Sequence, residues 1–181
     1  MEDKELELKP FELLLDQKTI HERILELSKE ITQDYRYKNP VMLGVLKGCI
    51  IFMSDLVRHI KLPLEMEFIS AASYRDGDKR EADIKFGSAV PIPLKDRHVI
   101  IVEGVVDSAR TASMLRSKLE EMEPASVEIV TLIDKPSSHQ TKIDVKYIGF
   151  SIGNAFVIGY GLDNTQKYRN LPFVGKLIDE K

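Results

Sequence analysis

The fold of this chain is decided by a strand, a helix and a second strand, in the stretches HVIIVEG (98–104), TASMLRSKLEEM (111–122) and SVEIVTLID (126–134). The outer two stretches are rich in β-branched apolar residues, which is typical of strands buried on both faces. The middle stretch has the length and composition of a helix. Two such strands joined by a helix predict a right-handed crossover, and therefore a parallel sheet.

The rest of the chain extends this pattern in both directions. The strand VMLGVL (41–46), the helix CIIFMSDLVRHI (49–60) and the alternating strand LEMEFIS (64–70) form a second such unit. The other predicted elements are an amphipathic helix at 18–34, a polar stretch at 73–88, and two strands at 145–152 and 155–162. We therefore expect one α/β domain over residues 1–181, with a mainly parallel twisted sheet flanked by helices.

Composition and charge exclude several classes of protein. Hydrophobic residues make up 43% of the chain and charged residues 30%, which indicates a globular protein. The formal charge of -3 predicts no nucleic-acid partner, and no apolar run reaches the roughly 18 residues needed to span a bilayer, which predicts no membrane partner. The acidic start MEDKELELK lacks the form of a signal peptide, so we expect a cytoplasmic protein. The single cysteine, Cys49, leaves no disulfide framework and no zinc cluster, and the histidines lack metal-ligand spacing.

The segment after the strand at 98–104 combines acids with small hydroxyl residues, at the strand end where ligands bind in open parallel sheets. Glu103 closes the strand, Asp107 follows, and Ser108 and Thr111 open a helix. Free amide groups and the dipole at a helix N-terminus favour an anion, so we predict a phosphate site, to which Arg110 could add charge. The alternative is that Asp107 or Ser108 only caps the helix and that Glu103 is solvated.

Five segments of the chain, in order, resemble a known family. VIIVEGVVDSART (99–111) is similar to the phosphoribosyl-pyrophosphate motif of the type I phosphoribosyltransferases. The segments that resemble the hypoxanthine-guanine branch of that family are GVLKG (44–48), ASY (72–74), TLIDKP (131–136) and FVIGYGLDNTQKYRNLP (156–172). This resemblance implies the type I phosphoribosyltransferase fold, with a small hood built from the terminal segments beside the sheet.

The resemblance also implies a reaction of purine salvage. Members of this branch transfer the 5-phosphoribosyl group from phosphoribosyl pyrophosphate to N9 of hypoxanthine or guanine, giving IMP or GMP and pyrophosphate. The implied cofactor is Mg²⁺, which prefers oxygen ligands and offsets the charge of the pyrophosphate. The implied assembly is a homodimer or a homotetramer.

By the same resemblance, Asp107 is the catalytic residue, placed near N7 of the purine as a general acid or base. Lys135 donates to the 6-oxo group, so adenine, which carries an amino group there, is refused. Phe156 stacks on the base, and the backbone carbonyl of Val157 contacts the 2-amino position. These residues form the implied base pocket.

The other implied contacts concern the phosphates, the metal and a mobile loop. The 5-phosphate is held by the loop of Asp107, Ser108, Ala109, Arg110 and Thr111. The pyrophosphate is contacted by Lys47, Gly48 and Arg169, with a cis peptide expected between Leu46 and Lys47. The magnesium ligands are Glu103 and Asp163. Ser73 and Tyr74 belong to a loop that closes over the site.

Two positions depart from the family pattern. Glu103 and Gly104 stand where the family has two adjacent acids, and Ala109 stands where the phosphate loop has glycine. The missing acid predicts weaker substrate binding, and the alanine predicts strain if its φ is positive. Restoring an acid, Gly104→Asp, is accordingly expected to raise kcat/KM. The alternative functions are a catalytically weakened homologue that acts as a nucleotide-binding regulator or assembly partner, and an RNA-binding regulator, which would need a basic face.

Overall fold

The computed structural model describes residues 10–74, 83–86 and 92–178, with the backbone alone at 72–74 and 83–86. The order of its elements is β1 (Phe11–Leu15), α1 (Gln17–Asp34), β2 (Val41–Leu46), α2 (Ile50–His59), β3 (Glu65–Tyr74), β4 (Asp83–Phe86), β5 (His98–Val106), α3 (Arg110–Glu120), β6 (Ser126–Asp134), β7 (Tyr147–Ser151), β8 (Val157–Ile158) and β9 (Val174–Leu177).

The main sheet has six strands in the order β4-β3-β2-β5-β6-β7. All pairings from β3 to β7 are parallel, and β4 pairs antiparallel with β3. The expected mainly parallel sheet is therefore confirmed. The pairing of β5 with β6 runs from His98 opposite Ser126 to Val106 opposite Asp134. Because this register is parallel, the residues that follow β5 and β6 leave the sheet side by side.

Helices cover both faces of the sheet because successive strand residues point to opposite faces. On one face, α1 and α2 pack through residues such as Ile24 and Phe52 against Met42. On the other face, α3 packs through Leu115 against Leu43. Among the described residues, no helix is both long and apolar enough to cross a membrane.

A second, three-stranded antiparallel sheet in the order β1-β9-β8 forms the hood. The rings of Phe11 and Phe173 stack within it, with their centroids 5.2 Å apart. Since β1 and β9 lie near the two ends of the chain, the expected hood of terminal segments is confirmed.

The predicted strand at 155–162 is wrong in its extent and in its sheet. Only Val157–Ile158 is a strand, and it belongs to the hood. Gly159 and Gly161 follow with φ of +92° and +96°, in a region that favours glycine and ends the extended strand. Asp163 therefore reaches the site from the hood and not from the end of a strand in the main sheet.

The predicted polar stretch at 73–88 contains strand structure that its charge concealed. β3 continues to Tyr74, and β4 pairs with its last residues, with Ser73 opposite Ile84. The intervening residues 75–82, which belong to the predicted closing loop, lie outside the described part of the chain.

Candidate active site

A cleft opens at the carboxyl ends of the parallel strands, where the hood faces the main sheet. It consists of two adjoining cavities of about 250 Å³ and about 700 Å³. The residues that line both cavities come from strand ends and the loops after them: Leu46, Gly48, Ala71, Val105 and Asp107. The position predicted for the site from strand order therefore coincides with this cleft.

The smaller cavity is built by the loop between β5 and α3, including Ser108, Ala109 and Thr111. Ala109 is the N-cap of α3 and has left-handed backbone angles, φ 64° and ψ -4°. No side chain of the described residues caps the helix, so the alternative in which Asp107 or Ser108 does so is wrong. The amide groups of the first turn have no helical acceptor and are available to an anion. Arg110 lines neither cavity, so its side chain is not brought together with the others.

Glu103 lines the smaller cavity from the end of β5, and its side chain is buried. No other described residue forms a hydrogen bond or an ion pair with its carboxyl group. Burial raises the pKa of Glu103 to about 8, because the charged form loses its hydration. The alternative that Glu103 is a solvated surface residue is therefore wrong.

Asp107 and Lys135 meet because they follow the neighbouring strands β5 and β6. The Lys135 ammonium donates to Oδ2 of Asp107 at 2.6 Å, and the side chain of Lys135 is only 5% exposed against 52% for Asp107. The backbone amide of Lys135 donates to the carbonyl of Val106 at 3.0 Å. Since an ammonium has three N–H donors, Lys135 keeps donors for a ligand in the larger cavity, which it also lines.

The short turn after Lys135 supports the phosphate loop. The backbone amide of Gln140 donates to the carbonyl of Ser108 at 3.0 Å. Nε2 of His139 lies 2.9 Å from Oδ1 of Asp134, at the end of β6. No sequence pattern singles out His139, because this contact depends on how the turn folds back.

A network of charged and amide groups lines the far part of the larger cavity. The Lys47 ammonium donates to Oε1 of Gln166 at 3.2 Å, and the guanidinium of Arg169 lies 3.5 Å from the same oxygen. Arg169 also pairs with Oδ1 of Asp163 at 2.6 Å. The backbone amide of Gln166 donates to the other oxygen of Asp163 at 2.8 Å. Three residues predicted for this region are thus brought together, and sequence reasoning missed Gln166.

The expected cis peptide between Leu46 and Lys47 is present, and the next residue, Gly48, is enclosed by two other glycines. A Cβ atom placed on Gly104 would lie 2.5 Å from the carbonyl oxygen of Gly48, and one placed on Gly161 would also lie 2.5 Å from it. Carbon and carbonyl oxygen atoms in close contact are about 3.3 Å apart. Gly104 therefore makes room for the Gly48 carbonyl. This geometry argues against the gain in kcat/KM expected for Gly104→Asp, and that gain stays a prediction.

Phe156 and Val157 approach the larger cavity from the hood. The ring of Phe156 is accessible, with 57% of the residue exposed, whereas Val157 is buried in β8. Ser73 and Tyr74 end β3, but their side chains lie outside the described residues. The predicted part of these two side chains in closing the site stays a prediction.

The carboxylates of the cleft fit a magnesium ion that arrives with a phosphate ligand. Mg²⁺ usually binds through one or two carboxylates, together with phosphate oxygens and water. Asp163 lines the larger cavity and Glu103 the smaller one. Among the described residues, no three His, Cys, Asp or Glu side chains are grouped so that they could hold a metal. The protein therefore offers hard oxygen donors that need substrate oxygens to complete the coordination.

Comparison with known proteins defines the class and then the family. The family model of the phosphoribosyl transferase domain matches residues 12–165, so the chain has a phosphoribosyltransferase domain. It is 42% identical over 168 residues to the hypoxanthine-guanine phosphoribosyltransferase of Streptococcus pneumoniae, covering 93% of each chain. The chain belongs to the hypoxanthine-guanine phosphoribosyltransferase family.

Solved structures agree with this assignment. The hypoxanthine phosphoribosyltransferase of Staphylococcus aureus is 35% identical, with a TM-score of 0.88 and coverage of 92% of this chain and 91% of that one. The Trypanosoma cruzi enzyme, in complex with the product IMP, is 33% identical, with a TM-score of 0.86 and coverage of 97% of both chains.

Proposed function

We propose that this chain transfers the 5-phosphoribosyl group from phosphoribosyl pyrophosphate to N9 of hypoxanthine or guanine, giving IMP or GMP and pyrophosphate. The observation that carries the proposal is the Asp107–Lys135 pair at 2.6 Å. Asp107 lines both cavities, so it stands between an amide-lined pocket suited to a phosphate and a larger pocket suited to a base. The name of the Streptococcus pneumoniae relative and the IMP complex of the Trypanosoma cruzi enzyme support the same choice of substrates.

The 5-phosphate would bind in the smaller cavity, on the amide groups of Ser108 to Thr111. Its oxygens are held there by hydrogen bonds and by the dipole of α3. The ribose then lies between the two cavities, near Glu103 and Asp107. This position places carbon 1 of the ribose next to the larger cavity, where both the base and the pyrophosphate have room.

The purine would lie against the Phe156 ring, with its 6-oxo group toward Lys135. As N9 bonds to carbon 1 and the bond from carbon 1 to the pyrophosphate oxygen breaks, the purine must lose a proton. We assign Asp107 to accept this proton at N7, because the Lys135 ammonium orients its carboxylate at the edge of the base pocket. The backbone carbonyl of Val157 would accept from the 2-amino group of guanine.

The leaving pyrophosphate would be held by Lys47, the Gly48 loop and Arg169, which line the larger cavity. Asp163 and Glu103 are the residues that would hold Mg²⁺, which supplies positive charge to the leaving pyrophosphate when it is bound. A cytoplasmic location and a homodimeric or homotetrameric assembly stay predictions, and sedimentation of the purified chain tests the assembly.

The test is nucleotide formation from phosphoribosyl pyrophosphate, Mg²⁺ and each of hypoxanthine, guanine, xanthine and adenine. We expect IMP and GMP to form and adenine to be refused, since it would leave a Lys135 donor unpaired at a cost of about 1–3 kcal/mol. Asp107→Asn keeps the shape but not the proton acceptor, so kcat should fall by about 10²- to 10⁴-fold. Asp144→Asn, at an exposed carboxylate, is the matched control.

Two results would contradict the proposal. Turnover of adenine at a rate comparable to hypoxanthine would show that Lys135 does not select the base. No nucleotide from any base, with Asp107→Asn equally inert and both proteins folded, would instead favour the nucleotide-binding regulator. Gly104 is the residue that favours this second function, since the family has an acid at that position.

A further inference from the structure

We infer that Gln166 is a positioning residue for the pyrophosphate end of the substrate, where a neutral amide oxygen holds Lys47 and Arg169 in place for an incoming anion. The inference rests on the proposed function and extends it to a residue that neither the family resemblance nor the sequence pattern singled out. The chemical property that matters at position 166 is a hydrogen-bond acceptor without a charge.

The contacts of the Gln166 side chain carry the inference. Its Oε1 accepts from the Lys47 ammonium at 3.2 Å and lies 3.5 Å from Nη2 of Arg169, and the residue lines the larger cavity. One oxygen thus spans two cations that come from different parts of the fold. In addition, Nε of Arg169 is buried and has no acceptor among the described residues, so the cation has donor capacity left for a ligand.

The backbone around Gln166 fixes the direction of its side chain. Asn164 and Lys167 exchange two backbone hydrogen bonds of 3.1 Å, which close a tight turn around Thr165 and Gln166. Both central residues have positive φ, of 50° and 67°. Turns of this kind usually have Asn or Gly at these positions, so a glutamine here is held in a conformation that it does not favour by itself.

Charge explains why the acceptor is an amide. Arg169 is already paired with Oδ1 of Asp163 at 2.6 Å, so the neutral glutamine oxygen adds no second negative charge beside it and leaves the charge of Lys47 for the pyrophosphate. A carboxylate in the same place would make stronger bonds to both cations and would repel the anion. A purely structural role and a role in anion binding therefore predict opposite effects for Gln166→Glu.

The experiment compares Gln166→Glu and Gln166→Asn with the full-length chain. Gln166→Glu keeps the length and adds a charge; Gln166→Asn shortens the side chain, so its oxygen moves away from the cations, and asparagine tolerates positive φ well. Thr165→Ala is the control, because the Thr165 hydroxyl is exposed and bonds only the adjacent carbonyl of Asn164. Inorganic pyrophosphate binding is measured by calorimetry with Mg²⁺ present, and the KM values for phosphoribosyl pyrophosphate and for hypoxanthine are measured separately.

We expect Gln166→Glu to raise the pyrophosphate Kd and the KM for phosphoribosyl pyrophosphate by about tenfold or more, because a like charge lies within contact distance of the anion. Gln166→Asn should raise both by about threefold. The KM for hypoxanthine should stay within about twofold, and the melting temperature of Gln166→Glu should not fall, since its bonds to the cations are kept.

Unchanged or tighter pyrophosphate binding by Gln166→Glu would overturn the inference. The calorimetric measurement does not depend on nucleotide formation, so it separates this inference from the proposed function. If no base is converted but the unmodified chain binds pyrophosphate and Gln166→Glu does not, the inference stands while the proposed reaction fails.

Discussion

Replacing Gly104 by alanine tests whether this glycine is a structural requirement of the site rather than a lost acid. The new Cβ would lie 2.5 Å from the oxygen and 2.8 Å from the carbon of the Gly48 carbonyl, and 3.1 Å from Cδ2 of Leu162. The Leu162 side chain can rotate, but the Gly48 carbonyl is backbone and must move until its oxygen is about 3.3 Å away. Overpacking of this kind costs about 1–3 kcal/mol.

The cost should appear in both stability and binding. For a chain of this size, we expect Gly104→Ala to lower Tm by about 3–10 °C. The moved carbonyl belongs to the Lys47-Gly48 loop, so the KM for phosphoribosyl pyrophosphate should rise as well. Gly104→Asp should lose at least as much stability as Gly104→Ala. Its kcat/KM should therefore not rise, contrary to the gain predicted from the sequence alone.

Gly153→Ala is the matched control for Gly104→Ala. Gly153 is exposed, and a Cβ placed on it meets no atom within 4 Å. Its stability should therefore change by less than about 0.5 kcal/mol. The reasoning is refuted if Gly104→Ala is as stable as Gly153→Ala with an unchanged KM, or if Gly104→Asp raises kcat/KM tenfold.

Two further predictions concern Ala109, before α3, and Glu103, in β5. Ala109→Gly should raise the free energy of unfolding in urea by about 0.5–1 kcal/mol, because Ala109 has φ 64°, where glycine is favoured over alanine. The control Ala112→Gly, inside α3, should instead lower it by about 1 kcal/mol. Equal losses at both positions would contradict the argument. Glu103 has a pKa of about 8 when folded against 4.5 ordinarily, so the folded state keeps a proton that the unfolded state releases, and stability falls as pH rises through this window. The free energy of unfolding of Glu103→Gln, relative to that of the unmodified protein, should therefore rise by up to about 1.4 kcal/mol per pH unit between pH 5 and pH 8. A difference that stays constant across that range would count against a buried, unpaired carboxyl.

Much of the site follows from sequence because strand order sets it. Asp107 and Lys135 lie far apart in the chain. The parallel register that pairs Val106 with Asp134 brings them together, because each is the first residue after its strand. A strand–helix–strand pattern already predicts that the two strands pair in parallel, with their ends side by side. The residues that the pattern places at neighbouring strand ends are therefore the ones that the structure joins by a 2.6 Å ion pair.

The features that sequence could not supply depend on backbone conformation and on contacts between distant loops. The apolar run at 155–162 has the composition of a strand, but the positive φ at Gly159 and Gly161 ends the strand after two residues. Gln166 reaches Lys47 only because its turn has positive φ at two non-glycine positions. Gly104 looked like a missing acid because the carbonyl that it accommodates belongs to a different strand–helix loop.

The position of the residues that are unfavourable for folding also bears on function. A buried carboxyl without a partner at Glu103, a left-handed alanine at Ala109 and a lysine that is 5% exposed at Lys135 are each unfavourable for folding, and all line the same cleft. A chain that only assembled with a partner through another surface would gain stability by replacing them. Their concentration beside open amide groups favours a cleft that binds an anion and moves a proton, and this distinguishes the transferase from an assembly role on physical grounds.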